Sequence, residues 1–367
     1  MKRICFVMTE ASQFNILCRG QLEYFSSQPN LEVTLVCGGN EIDIDKLKQR
    51  NVGNVYIVPL VRKPSIFIDL LSLIQLFWFF LFNRFDVVVY STPKALLIGS
   101  IASFMAFQKK RIALIRGRAY ENYSGFKRKI FEFLDKLCLF ISHKTLFIAE
   151  SLRLQYIEEG LTKAVDSYVL GTGSSNGVDV LKFKPELNKI DDPIFRIIVI
   201  GRVCIDKGVV DVYEVLKDIE AKNIHFSIVG KIDDEEARKY LDLILKEFSY
   251  TTYYDHIDDP SKVFGQSDLH LFLSHRDGFG NVAIEAASCN VPTFSYDIVG
   301  LKDSVNHNIS GIRFNFGDTH SVAKAINRAA EDKQAFRQKF LESRTWVLEN
   351  FENEKVWKNY LDFYIAE

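Results

Sequence analysis

The chain of 367 residues is short of several features that would mark it out at once. Its formal net charge is only −1, so the composition gives no support for a general binder of polyanions, and no nucleic-acid partner is expected. Six cysteines, Cys5, Cys18, Cys37, Cys138, Cys204 and Cys289, lie far apart with no CxxC pair and no metal-ligand spacing. They read as reduced core thiols of a cytosolic protein rather than as a disulfide scaffold or a zinc module. There is no repeat of fixed period and no low-complexity tract. No apolar run is clean enough to span a membrane, since the greasiest segment, Ile66 to Phe85, contains Asp69 and Gln75. The first apolar run, Ile4 to Met8, is too short for a signal-peptide core and is expected to be a first buried strand.

What is present is a rhythm. Apolar residues make up 47% of the chain, enough for two cores. In the first half, short β-branched runs at Ile4 to Met8, Glu32 to Cys37, Asn54 to Val58, Asp86 to Tyr90, Arg111 to Ile115 and Thr145 to Ile148 alternate with helical patterns. Continuous rather than alternating apolarity predicts strands buried on both faces, hence a parallel sheet covered by helices, a doubly wound α/β domain. The rhythm restarts after the polar stretch Lys184 to Pro193, with strands expected at Phe195 to Ile200, His225 to Val229, Leu269 to Leu273 and Pro292 to Ser295. This predicts two Rossmann-like domains, residues 1–180 and 181–345, and a C-terminal helix, 346–367, returning to the first. The aromatic-rich pattern from Asp332 through Phe363 reads as one long amphipathic helix. The glycine-rich segment from Gly171 to Asp179 misses the dinucleotide fingerprint and reads as a linker. Charge is unevenly shared: residues 1–180 hold 22 Lys or Arg against 16 Asp or Glu, and the remainder 24 against 31. A basic first half suits an anionic surface.

Two segments carry chemistry. The strand Phe195 to Ile200 runs into Gly201-Arg202-Val203-Cys204-Ile205-Asp206-Lys207-Gly208, just before a helical pattern. A guanidinium fork and an ammonium beside a helix N-terminus suit a diphosphate, although an ordinary solvated loop reads the same way. The strand Leu269 to Leu273 ends in Ser274-His275-Arg276-Asp277-Gly278-Phe279-Gly280-Asn281, and Val282 to Glu285 opens the next helix. Asp277 on the loop and Glu285 about a turn inside the helix fit either one bound molecule or a solvated, capped turn.

The pieces GRVCIDKG, SIVGKID, the long run from His256 through Val305 and NISGIRF resemble, in order, the donor domain of the retaining glycosyltransferases of family four, which have the B-type fold of two Rossmann-like domains facing across a cleft. The resemblance implies that Arg202 and Lys207 bind the donor diphosphate, with Gly201 beside them. It implies that Glu285, the second glutamate of an E-x7-E motif, holds the ribose, and that Phe279, Gly280, Asn281 and Val282 meet phosphates and sugar. Gly230, Lys231, His256 and Ile257 are placed near the base. Asp277 stands where the first glutamate sits and is shorter by about 1.5 Å of reach.

The first domain departs further. Its first loop, Thr9 to Gln13, lacks the paired glycines common in the family, and Arg116 replaces a frequent histidine. The runs RGRAYEN, residues 116–122, and GSSNGVD, residues 173–179, are similar to a subgroup that builds bacterial capsule and O-antigen polysaccharides on polyprenyl diphosphate carriers. Arg116, Arg118, Glu121 and Ser12 are therefore expected at the acceptor, where two arginines suit a diphosphate and a solvated basic loop is the bland alternative. A basic amphipathic helix opening at Phe126-Lys127-Arg128-Lys129, the charges Lys109 to Arg111 and the run from Ile66 fit peripheral contact with an anionic membrane, on the inner face of the plasma membrane.

Asp43-Ile44-Asp45 matches a DxD manganese signature but reads as solvated loop with no strand leading into it. No metal and no cofactor are expected, because Arg, Lys and helix dipoles can neutralise a leaving diphosphate. The reaction implied is transfer of a hexose from a UDP-sugar to a hydroxyl of a lipid-linked saccharide with retention at the anomeric carbon. A nucleotide-sugar epimerase and a non-catalytic sugar-nucleotide-binding protein are the alternatives.

Overall fold

The computed structural model describes residues 1–118, 120–121, 123–186, 189–190 and 192–366. The chain divides into two units, Met1–Gly177 with Asn353–Glu367, and Val178–Glu352.

The first unit is a seven-stranded sheet of order β3-β2-β1-β4-β5-β6-β7, parallel throughout. Its strands are β1 (Lys2–Glu10), β2 (Leu31–Gly38), β3 (Asn54–Ile57), β4 (Val87–Ser91), β5 (Arg111–Ile115), β6 (Lys144–Phe147) and β7 (Ser167–Val169). Between them run α1 (Ala11–Leu17), α2 (Gln21–Ser26), α3 (Glu41–Gln49), α4 (Ile66–Phe82), α5 (Pro93–Met105), α6 (Gly125–Phe140) and α7 (Glu150–Glu158). The central strands are buried as apolarity on both faces requires, β4 and β5 at every residue and β1 from Ile4 to Thr9.

The second unit is a six-stranded parallel sheet of order β10-β9-β8-β11-β12-β13. Its strands are β8 (Phe195–Ile200), β9 (Ile224–Val229), β10 (Thr251–Tyr254), β11 (Leu269–Phe272), β12 (Thr293–Tyr296) and β13 (Gly311–Phe314). Its helices are α8 (Val209–Lys217), α9 (Glu235–Glu247), α10 (Pro260–Gln266), α11 (Asn281–Ser288), α12 (Leu301–Ser304), α13 (Thr319–Glu331), α14 (Lys333–Lys339) and α15 (Ser343–Asn350). Asp234, Asp259 and Asp318 cap α9, α10 and α13 by accepting backbone N–H bonds, which fixes where those helices begin. The core under α8, α9 and α13 gathers Phe195, Ile197, Phe226, Leu241, Leu271, Phe294 and Ile326 on one face of the sheet, and a smaller cluster of Phe272, Ala283, Leu301 and Val305 fills the other.

The last helix, α16 (Asn353–Ile365), belongs to the first unit. Tyr364 meets Phe6 and Phe25, Trp357 Nε1 donates to Asn176 O at 2.9 Å, and Tyr360 donates to Ser174 O at 3.1 Å.

Three sequence expectations need correction. The pattern from Asp332 to Phe363 is three helices, α14, α15 and α16, rather than one, because the backbone leaves helical geometry at Phe340 and Phe351, the fully buried C-caps of α14 and α15. The DxD lies in the first turn of α3, with Asn40 as N-cap accepting from Asp43 N at 2.9 Å, and β2 does lead into it. The edge strands β7, β10 and β13 were not foreseen. Among the described residues no helix is long and apolar enough to cross a membrane.

Candidate active site

In an open parallel sheet, ligands bind beyond the carboxyl ends of the strands where the order reverses. In the second unit that point lies between β8 and β11, and the two loops singled out above leave these two strands. Gly208 makes their meeting possible: it has φ +80°, and a Cβ there would lie 2.0 Å from Leu273 O at the end of β11. The turn therefore seats Lys207 against the second loop, where its Nζ stands 2.6 Å from Asp277 Oδ2.

Around this pair the loops are bolted together. Arg276 Nε donates to Asp206 Oδ2 at 2.8 Å, and His275 N donates to Asp206 O at 2.9 Å. His275 Nε2 lies 2.6 Å from Asp211 Oδ2, whose other oxygen accepts from Tyr296 at 2.7 Å. The Asp211 hydrogen bond raises the His275 pKa above its ordinary value. Burial alone would raise Asp211, yet the bonds from His275 and Tyr296 bring it below the ordinary carboxylate value. None of Asp206, Asp211, His275, Arg276 or Tyr296 was a site candidate in the sequence. The loops show an acid beside Lys207 and a base beside Asp277, but nothing in the sequence says that the two meet.

Arg202 is exposed and paired with Asp233. Its neighbours Gly201 and Gly230 end β8 and β9, Gly201 N bonding Val229 O and Gly230 N bonding Tyr254 O, and Val203 N binds Lys231 O at 2.8 Å. The exposed His256 has Asp258 at 3.5 Å, and Ile257 is half-buried. Gly280, at φ +79°, starts α11; a Cβ there would come within 2.6 Å of Leu301 and 2.8 Å of Phe272. Phe279 is buried against Phe351, so only its backbone reaches the loop surface, where its N–H lies 3.4 Å from Asp277 Oδ1. Asn281, Val282 and Glu285 follow in α11, all half-buried. Burial pushes the Glu285 carboxyl up to about 7, with Lys182 pulling it back. The loops thus bring Lys207, Asp277 and the start of α11 together, with Arg202 on the adjoining loop and Glu285 about a turn further along α11, where Lys182 is the cation that acts on it.

The first unit treats its arginines differently. Arg116, at the end of β5, donates to Ser91 Oγ at 3.0 Å and to Ser175 Oγ, and lies 3.7 Å from Cys18 Sγ. Arg118, expected at an acceptor site, has no exposed side-chain surface. It pairs with Glu159 at 2.9 Å, with its guanidinium 4.7 Å above the Tyr156 ring and 5.4 Å from that of Tyr120. Both tyrosines donate to Asp135 Oδ2, at 2.8 and 3.0 Å, so Arg118 belongs to a buried polar network. Ser12, in the first turn of α1, lies 3.5 Å from Glu10 Oε2, and Glu121 is half-buried. Ala119 and Asn122 of the same motif lie outside the described residues.

The comparisons with known proteins bear on the fold and on the class of enzyme. Residues 181–344 match the family model described as glycosyl transferases group 1. The chain is 29% identical over 369 residues to the capsular polysaccharide biosynthesis glycosyltransferase CapM of Staphylococcus aureus, covering 98% of this chain and 96% of that one. It is 24% identical to the UDP-Gal:alpha-D-GlcNAc-diphosphoundecaprenol alpha-1,3-galactosyltransferase of Escherichia coli, over 86% of this chain and 84% of that one. Among solved structures, Anabaena HepE in complex with UDP and glucose superposes with TM-score 0.79 at 16% identity, over 99% of both chains. Sucrose-phosphate synthase of Thermosynechococcus elongatus does so with TM-score 0.82, also at 16%, over 99% of this chain and 98% of that one. The second unit is accordingly a glycosyl transferases group 1 domain, and the chain is a glycosyltransferase with the two-domain B-type fold.

Proposed function

We propose that the enzyme moves a hexose from a UDP-sugar to a hydroxyl of a polyprenyl-diphosphate-linked saccharide, with retention at the anomeric carbon and without a metal. We place the step in capsule or O-antigen synthesis, on the cytoplasmic side of an anionic membrane. The observation that carries this reading is the pairing of Lys207 with Asp277 at the reversal point of the sheet, beside the start of α11. The names of the Staphylococcus and Escherichia relatives support the pathway and the lipid-linked acceptor.

The chemistry follows from charge. As the glycosidic bond to the diphosphate breaks, negative charge builds on the leaving oxygen, and Arg202, Lys207 and the amides at the start of α11 neutralise it. Each charge-assisted contact is worth about 1.5–3 kcal/mol. Lys207 can turn from Asp277 to the phosphate, leaving the Asp277 carboxylate to accept from hydroxyls of the sugar. Glu285 accepts from the ribose. The acceptor hydroxyl attacks from the face the diphosphate leaves, which lets a departing phosphate oxygen take its proton.

A panel of nucleoside-diphosphate sugars incubated with polyprenyl-linked saccharides from a membrane extract tests this. The expected product is a lipid-linked species heavier by one hexose, seen by mass spectrometry. Donor turnover that ignores the lipid would replace the reading with an epimerase, and donor binding without any product would replace it with a binding protein.

A further inference from the structure

The helix α4 is greasy on the wrong side. Its inward row, Ser72, Leu76 and Phe80, is fully buried, and the opposite row, two residues out of phase and so about 200° around the helix, is Leu70, Ile74, Trp78 and Phe82. All four are exposed, as are Ile66 and Phe67 at the start of the helix, Phe67 to 88% and Phe82 to 77%. A helix of a water-facing layer carries polar residues on that row. On α6 the apolar residues Phe126, Ile130, Phe133 and Phe140 fall on one stripe and are likewise exposed. The crossovers that hold α4, α5 and α6, from β3 to β4, β4 to β5 and β5 to β6, all run in one direction across the sheet, so the three helices cover the same face, and α5 packs against both of the others.

The charges say what covers this face. The acids on the two helices are engaged: Asp69 with Lys94 at 2.7 Å, Glu132 with Arg128 at 2.6 Å, and Asp135 with the two tyrosines. What remains outward is cationic. Exposed Lys127 borders one side of the α6 stripe, Lys129 and Lys136 the other, and exposed Arg62 and Lys63 precede α4. Apolar rows between cations complement an anionic lipid surface, whereas a second copy would bring these cations together with no acids left to pair them.

We propose that the α4–α6 face of the first unit is a lipid-docking surface, with α4 lying in the interface of an anionic bilayer and the lysines of α6 among its headgroups. This builds on the lipid-linked acceptor reading by naming the surface that brings the enzyme to its acceptor. The test needs neither donor nor acceptor, so it fails or succeeds apart from that reading. Full-length protein is floated with vesicles of phosphatidylcholine, with and without phosphatidylglycerol. Wild type should float with the anionic vesicles, the double variant F67E/F82E should lose roughly tenfold in bound fraction, and K127E/K129E should lose the preference for phosphatidylglycerol. An unchanged thermal midpoint shows the variants folded, and hydrogen exchange on wild type, with protection of α4 and α6 on adding vesicles, gives a readout that needs no variant. The proposal is overturned if wild type does not float, if F67E/F82E floats as wild type does, if α4 gains no protection, or if wild type sediments as a dimer that the double variant turns into a monomer.

Discussion

The two sheets share a topology but use the cations at their carboxyl edges in opposite ways. In the second unit Lys207 and Arg202 stand in single ion pairs with Asp277 and Asp233 that an arriving anion can replace. In the first, Arg116 is held by two hydroxyls beside a buried thiol, and Arg118 is sunk among Glu159, Tyr156 and Tyr120. A cation that can change partners is suited to binding, and one whose partners are all internal is suited to bracing. Exposure and the number of partners decide between the two roles, and neither follows from residue type.

The sharpest way to break that contrast is to remove one cation from each side. Lys207→Ala should lower turnover by about a thousandfold with the melting temperature unchanged, as loss of a group that meets developing charge does. Wild-type turnover in that variant would end the diphosphate assignment. Arg118→Ala should do the reverse, costing about 2 kcal/mol of stability by opening a cavity beside Tyr156 and leaving Asp135 without a cation, whereas the exposed Glu159 keeps Arg128, while the folded fraction keeps its acceptor KM. A raised acceptor KM at unchanged stability would restore Arg118 to the acceptor. Arg276→Ala, which cuts the link to Asp206, should fall between them: roughly a tenfold loss of kcat as Lys207 loses its fixed position, with little change in melting temperature. The conservative Arg276→Lys should recover part of that loss, since the ion pair with Asp206 survives; equal loss in both variants would mean the link does not position Lys207.

The sequence made the sheets readable because strands buried on both faces leave continuous apolar runs. All ten runs read as strands are strands, β1 to β6 and β8, β9, β11 and β12. The three that escaped, β7, β10 and β13, are edge elements of three or four residues, partly exposed and without a continuous apolar run; β3 is an edge of the same kind and was readable only because Val55 to Val58 form such a run. The breaks among α14, α15 and α16 were hidden for a related reason: residues 332–363 contain no proline or glycine, and the breaks fall at the buried C-caps Phe340 and Phe351. At the candidate site, Arg202, Lys207, Asp277 and Glu285 were visible as charges on loops after strands. The bolts Asp206–Arg276 and Asp211–His275 were not, because each joins residues more than sixty apart and only the β8–β11 pairing brings them face to face.

Glu285 gives the contrast its finest test, because it sits on the binding edge yet is buried enough to resist ionisation. Its pKa is pushed up to about 7 from an ordinary value of 4.5, so below neutrality the carboxyl is largely protonated. Since the folded pKa lies above the unfolded one, the stability linked to this group is full below about pH 4.5 and is lost as pH rises toward 7. Donor binding should run the other way if Glu285 accepts from the ribose, since the carboxylate is the better acceptor. Donor affinity, followed by calorimetry between pH 6 and 8 (a range set around that pKa of about 7), should rise a few-fold while the melting temperature drifts down. In Glu285→Gln both trends should flatten, with affinity near the low-pH value of wild type. A pH-independent donor affinity in wild type would detach Glu285 from the donor and leave it, like Arg118, a buried group of the fold.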